Sequence, residues 1–136
     1  MMLDSSALVA IVLQEADADS LLARMRTAPT VAIGAATLLE CGIVLSARLQ
    51  MDARGLLARL LQESGIEVVD VTEARFGIAM EAWLRFGKGR HPAALNFGDC
   101  LSYAMAMVAQ MPLLCVGEDF PLTDCTEPPR LYRRLG

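Results

Sequence analysis

The sequence predicts an α/β protein in which a short-stranded parallel sheet is covered by helices on both faces. Three observations carry that prediction. Short, fully apolar segments recur between longer amphipathic ones. The amphipathic segments are long enough to make right-handed crossovers. Proline, glycine or a capping residue stands at most of the junctions. Strands of a parallel sheet are buried on both faces, so they read as unbroken apolar runs rather than alternating ones.

The first strand is Met2-Leu3-Asp4, with Asp4 at its carboxyl end, because Asp4 is the only charge before Glu15. Ser5 or Ser6 is placed as the cap of a helix over the apolar run from Ala7 to Leu13. Asp17 to Arg26 is a second, amphipathic helix with Leu21, Leu22 and Met25 inward, stopped by Pro29. Thr30 to Ile33 is β-branched and short, a second strand closed by Gly34. Ala35 to Leu49 follows as a helix with Ala35, Leu38, Leu39 and Gly42 on one stripe. Asp52 caps a helix that runs to about Glu63 and ends at Gly65, and Glu67 to Val71 is a third strand. Thr72 opens a helix to about Phe86 that carries Trp83, a core or interface residue.

Gly87-Lys88-Gly89-Arg90-His91-Pro92 is a basic, glycine-rich loop. Asn96 and Gly98 then supply turn chemistry before a helix with Leu101, Ala104, Met105 and Val108 at buried spacing. Pro112 breaks the chain, Leu113 to Val116 is a fourth strand, and Leu122 to Thr126 reads as a short edge strand.

The totals fit one domain over residues 1–136 with a real core, since 54% of the residues are hydrophobic. No apolar run reaches the roughly 20 residues of a membrane span. The start lacks a basic region, and Asp4 interrupts what would be a signal peptide's apolar stretch. Cys41, Cys100, Cys115 and Cys125 show no C-x-x-C spacing and read as reduced, buried thiols, so the expected location is cytoplasmic. A single histidine makes His-based zinc chemistry and most catalytic triads a poor fit. No G-x-G-x-x-G follows a strand, and neither a P-loop nor a G-x-S-x-G elbow is present.

The chemistry lies in isolated carboxylates. Glu40 is the only charge between Arg26 and Arg48, and Asp99 the only one between Pro92 and Gly117. Burying an unpaired charge costs several kcal/mol unless a proton, a cation or a metal compensates it. In a parallel sheet the working residues gather beyond the carboxyl ends of the strands. Asp4 and Asp119 fall there directly, with Glu118 adjacent to Asp119, while Glu40 and Asp99 sit in the first turns of helices that face the same cleft.

Four such acids suit hard divalent cations, which would activate water for in-line displacement at a phosphodiester. Each acid alone has an ordinary structural explanation as a cap, a turn or an exposed helix face; their joint placement is what argues for a site. The net charge of −4, 12 basic against 16 acidic residues, does not exclude a nucleic-acid partner, because setting four clustered acids aside leaves 12 against 12. Lys88, Arg90 and His91 are candidate phosphate contacts.

Together these segments resemble the PIN-domain ribonucleases, and among them the VapC toxins of bacterial type II toxin–antitoxin pairs. The motifs are Met2-Leu3-Asp4-Ser5-Ser6, Glu40 after the second strand, Phe86 to Pro92, Leu95-Asn96-Phe97-Gly98-Asp99-Cys100 and Val116-Gly117-Glu118-Asp119-Phe120. The resemblance spans almost the whole chain, in the family's order, and departs from it at Ser5, where threonine is usual.

It implies a three-layer α/β/α sandwich, Mg²⁺ or Mn²⁺ in the acid pocket, and endonucleolytic cleavage of RNA such as tRNA or rRNA. Asp4, Glu40, Asp99 and Asp119 would bind metal, with Ser6 and Asn96 supporting them. A VapB-type antitoxin and a second copy of the chain are the implied partners. A DNA-directed nuclease and a non-catalytic binding module on the same fold are the alternatives.

Overall fold

The computed structural model describes residues 1–117 and 120–124. Its centre is a four-stranded sheet, all parallel, in the order β3-β2-β1-β4. The strands are β1 (Met2–Leu3), β2 (Val31–Gly34), β3 (Ile66–Val69) and β4 (Leu113–Leu114). Registers pair Leu3 with Ile33 on one side and with Leu114 on the other. The chain steps outward from β1 to β2 to β3, then returns to add β4 on the opposite edge of β1. The direction of winding therefore reverses between β1 and β4, which is the place where open parallel sheets hold their ligands.

Among the described residues six α-helices cover the sheet: α1 (Ser5–Val12), α2 (Ala18–Thr27), α3 (Ala35–Leu49), α4 (Arg54–Ser64), α5 (Glu73–Phe86) and α6 (Phe97–Ala109). Successive strand side chains point to opposite faces, and this splits the core in two. Leu3, Ile33 and Leu114 pack with Leu8, Leu21, Met25, Leu45 and Leu57 from the first four helices. Met2, Ala32 and Leu113 pack on the other face with Phe86, Tyr103, Met105 and Ala106 from α5 and α6. The protein is thus the three-layer α/β/α sandwich that the alternation of elements predicts.

Several local expectations are corrected. The cap of α1 is Asp4 rather than Ser5 or Ser6: its carboxylate accepts the Ser6 N–H, and both serines lie inside the helix. Asp52 accepts from the Arg54 N–H but stands one residue before the cap of α4, which is Ala53. Gly65 does end that helix, at φ 62°, a conformation that costs glycine nothing. β3 starts and ends earlier than its β-branched run suggests, and β4 is only two residues long. Phe120–Leu122 is a turn of 3-10 helix rather than the start of an edge strand, and Cys125 and Thr126 lie outside the described residues.

The stripe on α3 is also different. Thr37, Cys41 and Leu45 face the core, whereas Leu39 is 65% exposed. Trp83 likewise lies at the surface, not in the core. No described helix is long and apolar enough to cross a membrane. Cys41 and Cys100 are buried free thiols and Cys115 is a half-buried one, as their apolar neighbours predict.

Candidate active site

The site forms where β1 ends beside β4. Asp4 follows β1 directly and is 4% exposed. Its Oδ2 accepts from the Ser6 N–H at 3.1 Å and the Ser6 hydroxyl at 2.5 Å, and its Oδ1 accepts from the Ser102 hydroxyl at 2.6 Å. The Ser6 hydroxyl in turn accepts from the Val116 N–H at 3.0 Å, so one serine ties Asp4 to the chain leaving β4. A carboxylate has about four acceptor positions, and three of these are filled by donors, leaving one on Oδ1. Among the described residues no lysine or arginine pairs with Asp4 or Glu40.

Ser102 carries this geometry, and the sequence reading missed it. It is 1% exposed and lies 98 residues from Asp4 along the chain. A serine within an apolar helix offers only one signal, that a buried hydroxyl needs a partner.

α6 opens with a reciprocal cap. Asn96 Oδ1 accepts from the Asp99 N–H at 2.9 Å, and Asp99 Oδ2 accepts from the Asn96 N–H at 3.0 Å. Asp99 therefore has the structural role that a helix start offers. It also lies three residues before Ser102, so the two share a helix face, and that face is the one that reaches Asp4.

The preceding residue, Gly98, meets Glu40. A Cβ at position 98 would stand 2.7 Å from Glu40 Oε2 and 3.0 Å from Oε1. Only glycine lets α6 approach that carboxylate so closely. Glu40 itself projects from the second turn of α3, beside the buried Cys41. Burial, reinforced by the charges of Asp4 and Glu40, pushes the Cys41 thiol up to about 12. Both carboxylates act on that thiol through their charge. Burial and then the Asp99 charge raise the Cys100 thiol in the same way.

The first turns of α6 thus touch the surroundings of all three described acids. They do not form a closed cage: among the described residues no three Asp, Glu, His or Cys side chains stand close enough to hold a metal alone. The physical reason is visible in the bonds, since Asp99 turns back to its own cap and Asp4 is held by two serines. Asp119, the fourth expected acid, and its neighbour Glu118 lie outside the described residues. An oxygen-only set with few direct ligands still fits Mg²⁺, which keeps several waters and takes one or two carboxylates.

The basic loop is mostly occupied with its own structure. Arg90 donates to the Leu84 carbonyl at 3.1 Å and lies 4.8 Å from the centre of the Trp83 ring. His91 Nδ1 accepts from the Ala93 N–H, and its ring meets Phe86 edge-on at 5.1 Å. Lys88 is exposed.

Comparison with known proteins identifies the family. The family model for the PIN domain matches residues 1–124. The chain belongs to the PIN domain family. This PIN domain is 46% identical over 125 residues to Ribonuclease VapC36 of Mycobacterium tuberculosis, covering 91% of this chain and 90% of the relative. It is 41% identical over 124 residues to Ribonuclease VapC of Mycolicibacterium smegmatis, covering 91% and 96%. Among solved structures it superposes on Mycobacterium tuberculosis VapC20, described as a Sarcin-Ricin loop cleaving toxin, with a TM-score of 0.71 at 20% identity, covering 88% of this chain and 92% of that one. A toxin–antitoxin complex from Klebsiella pneumoniae matches with a TM-score of 0.69 at 15% identity, covering 94% and 96%.

Proposed function

We propose that this PIN domain is a Mg²⁺- or Mn²⁺-dependent endoribonuclease, the toxin of a type II toxin–antitoxin pair, acting on tRNA or rRNA. The observation that carries the proposal is the convergence on the start of α6: Gly98 against Glu40, Asp99 in the next position, and Ser102 on Asp4. The relatives named ribonuclease support the same reading.

In this reading Asp4, Glu40 and Asp99 are the principal metal-binding acids, and Asp119 supports them. A divalent ion held there supplies charge neutralisation at the phosphodiester and lowers the pKa of a bound water. The chain's own part is to fix the carboxylates. Ser6 and Ser102 hold Asp4 in one orientation and leave it an open acceptor position. The Asn96–Asp99 cap fixes the turn from which Asp99 projects, and Gly98 leaves room for Glu40. The apolar walls around these acids limit competing water. Lys88 is the basic side chain best placed to meet RNA from the loop. A VapB-type antitoxin covers the cleft, and the working form is a homodimer in the cytoplasm.

The test is cleavage of a labelled total-RNA pool by purified, antitoxin-free protein with Mg²⁺, Mn²⁺ or EDTA, beside Asp99→Asn. Asparagine keeps an oxygen that can accept from the Asn96 N–H, so the cap and the fold survive. Discrete fragments that require metal and disappear in the variant are expected. Equal cleavage by the variant, or cleavage in EDTA, would refute the proposal. A folded wild type that binds RNA without cutting it would identify a binding module instead, and cutting of DNA alone would identify a DNA-directed nuclease.

A further inference from the structure

A polar recess opens beyond the carboxyl end of β4, between α2 and the chain that leaves that strand. Its volume is about 290 Å³, at the lower end of the range for small-molecule clefts. Asp17, Ser20 and Arg24 wall it from α2, and Cys115, Val116 and Gly117 from the other side. The three α2 positions recur at intervals of three and four, so one face of the helix brings an acid, a hydroxyl and a guanidinium to the same opening. All three are exposed, and Asp17 makes no capping bond with its side chain although it stands at the cap of α2.

The recess borders the acid site. Val116 donates its N–H to the Ser6 hydroxyl at 3.0 Å, and that hydroxyl donates to Asp4. One wall of the recess therefore stands two hydrogen bonds from Asp4. Both lie at the carboxyl ends of the paired strands β1 and β4, the end where open parallel sheets hold their ligands. A phosphodiester placed over Asp4 brings an adjacent nucleotide of the same strand to this opening.

We infer that the recess seats one nucleotide of the substrate next to the cleaved bond, with Arg24 on a phosphate and Asp17 on an amino group of the base. The inference rests on the ribonuclease reading above and adds the contacts that select a base.

The chemistry of the walls favours a nucleotide over a free anion. A site for phosphate alone would be weakened by Asp17, whose charge repels it. A nucleotide presents both signs of partner, an anionic phosphate and, on adenine, cytosine or guanine, N–H donors at the base edge. Arginine meets phosphate with a planar fork, and a carboxylate accepts from a base amino group. A guanidinium has five N–H donors, so Arg24 can keep a protein partner and still meet a phosphate. The Ser20 hydroxyl can serve the ribose 2′-OH, the group that distinguishes RNA from DNA. Gly117, at φ 109°, has no atom within 4 Å of where a Cβ would stand, so its backbone is open to close approach.

Fluorescence anisotropy with labelled oligo(A), oligo(C) and oligo(U) tests the inference by binding alone. The full chain carries Asp99→Asn in every sample, so that the probes stay intact. This parent protein should bind oligo(A) and oligo(C) more tightly than oligo(U), whose base has no amino group. Adding Arg24→Gln should weaken all three by about tenfold and lower the salt dependence by about one counterion. Adding Asp17→Asn, which offers a donor as well as an acceptor, should erase the preference against oligo(U). A purely structural role for Asp17 would move the unfolding transition and not the choice of base. An Arg24→Gln protein that binds all three probes like its parent, or an Asp17→Asn protein that keeps the preference, overturns the proposal. If the shifts appear but protein with Asp99 intact cuts no RNA, the nuclease reading fails and the recess stands as an RNA subsite. If RNA is cut and the shifts are absent, the recess proposal alone fails.

Discussion

Gly98→Ala separates the fold from the chemistry at the most crowded point of the site. The added methyl would lie 2.7 Å from Glu40 Oε2, 3.0 Å from Oε1 and 3.2 Å from Cδ. Ordinary contact begins about 0.7 Å beyond the shortest of these. The neighbour that must give way is the far end of a flexible side chain, so the backbone can stay and the carboxylate swings aside.

Stability should not fall. Gly98 lies in the first turn of α6, and exchanging glycine for alanine within a helix gains about 0.5–1 kcal/mol. Function should fall steeply, because displacing a reacting or ligating group by about 1 Å costs on the order of 100-fold in rate. The assay pairs thermal unfolding with single-turnover RNA cleavage across a Mn²⁺ titration. The expected result is an equal or higher melting temperature, a cleavage rate lower by about two orders of magnitude and a right-shifted metal dependence. A variant that cleaves like the wild type at the same metal concentration would show that Glu40's position is irrelevant and refute the reasoning.

Other perturbations probe different parts of the account. Ser102→Ala removes a hydrogen bond to a buried carboxylate, worth about 1.5–3 kcal/mol, so chemical denaturation should show that loss together with reduced cleavage; an unchanged midpoint would mean the bond contributes nothing. Gly87→Ala would push a methyl against the Trp83 carbonyl, a backbone atom that cannot move aside, and should destabilise by about 1–3 kcal/mol with the greatest loss of amide protection in the 88–95 loop; wild-type stability would contradict the packing. The Cys41 thiol, raised from 9.0 to about 12, should resist alkylation at pH 8 until the protein unfolds. Its contribution to stability is fully present below pH 9.0 and is lost as the pH rises toward about 12, so Cys41→Ala should flatten the alkaline limb of the stability profile; rapid labelling of native Cys41 would overturn this.

The fold was largely legible because its signals are local. Continuous apolar runs such as Met2-Leu3 and Val31 to Ile33 identify buried parallel strands, and Gly65 and Pro112 mark their boundaries. The position of Asp4 followed from the same logic, at the carboxyl end of β1, whereas Glu40 stands in the second turn of α3 rather than the expected first.

What stayed hidden depends on tertiary contact. Ser102 looks like any helical serine until the sheet brings Asp4 to it. Periodicity cannot say which apolar face of α3 is inward, since Cys41 and Leu45 on one side and Leu39 and Ile43 on the other are equally hydrophobic. The cap of α1 was misplaced by one residue or two because aspartate and serine compete for that role, and local geometry gave it to Asp4.

In the proposed function, the start of α6 gathers Asp4, Glu40 and Asp99 around one cation site. The most direct measurement is anomalous diffraction from crystals grown with Mn²⁺, comparing the wild type with Asp4→Asn. The account predicts one or two peaks within the cleft bounded by Asp4, Glu40 and Asp99, lost or weakened in the variant. No peak there at saturating Mn²⁺, or a peak unaffected by Asp4→Asn, would contradict it.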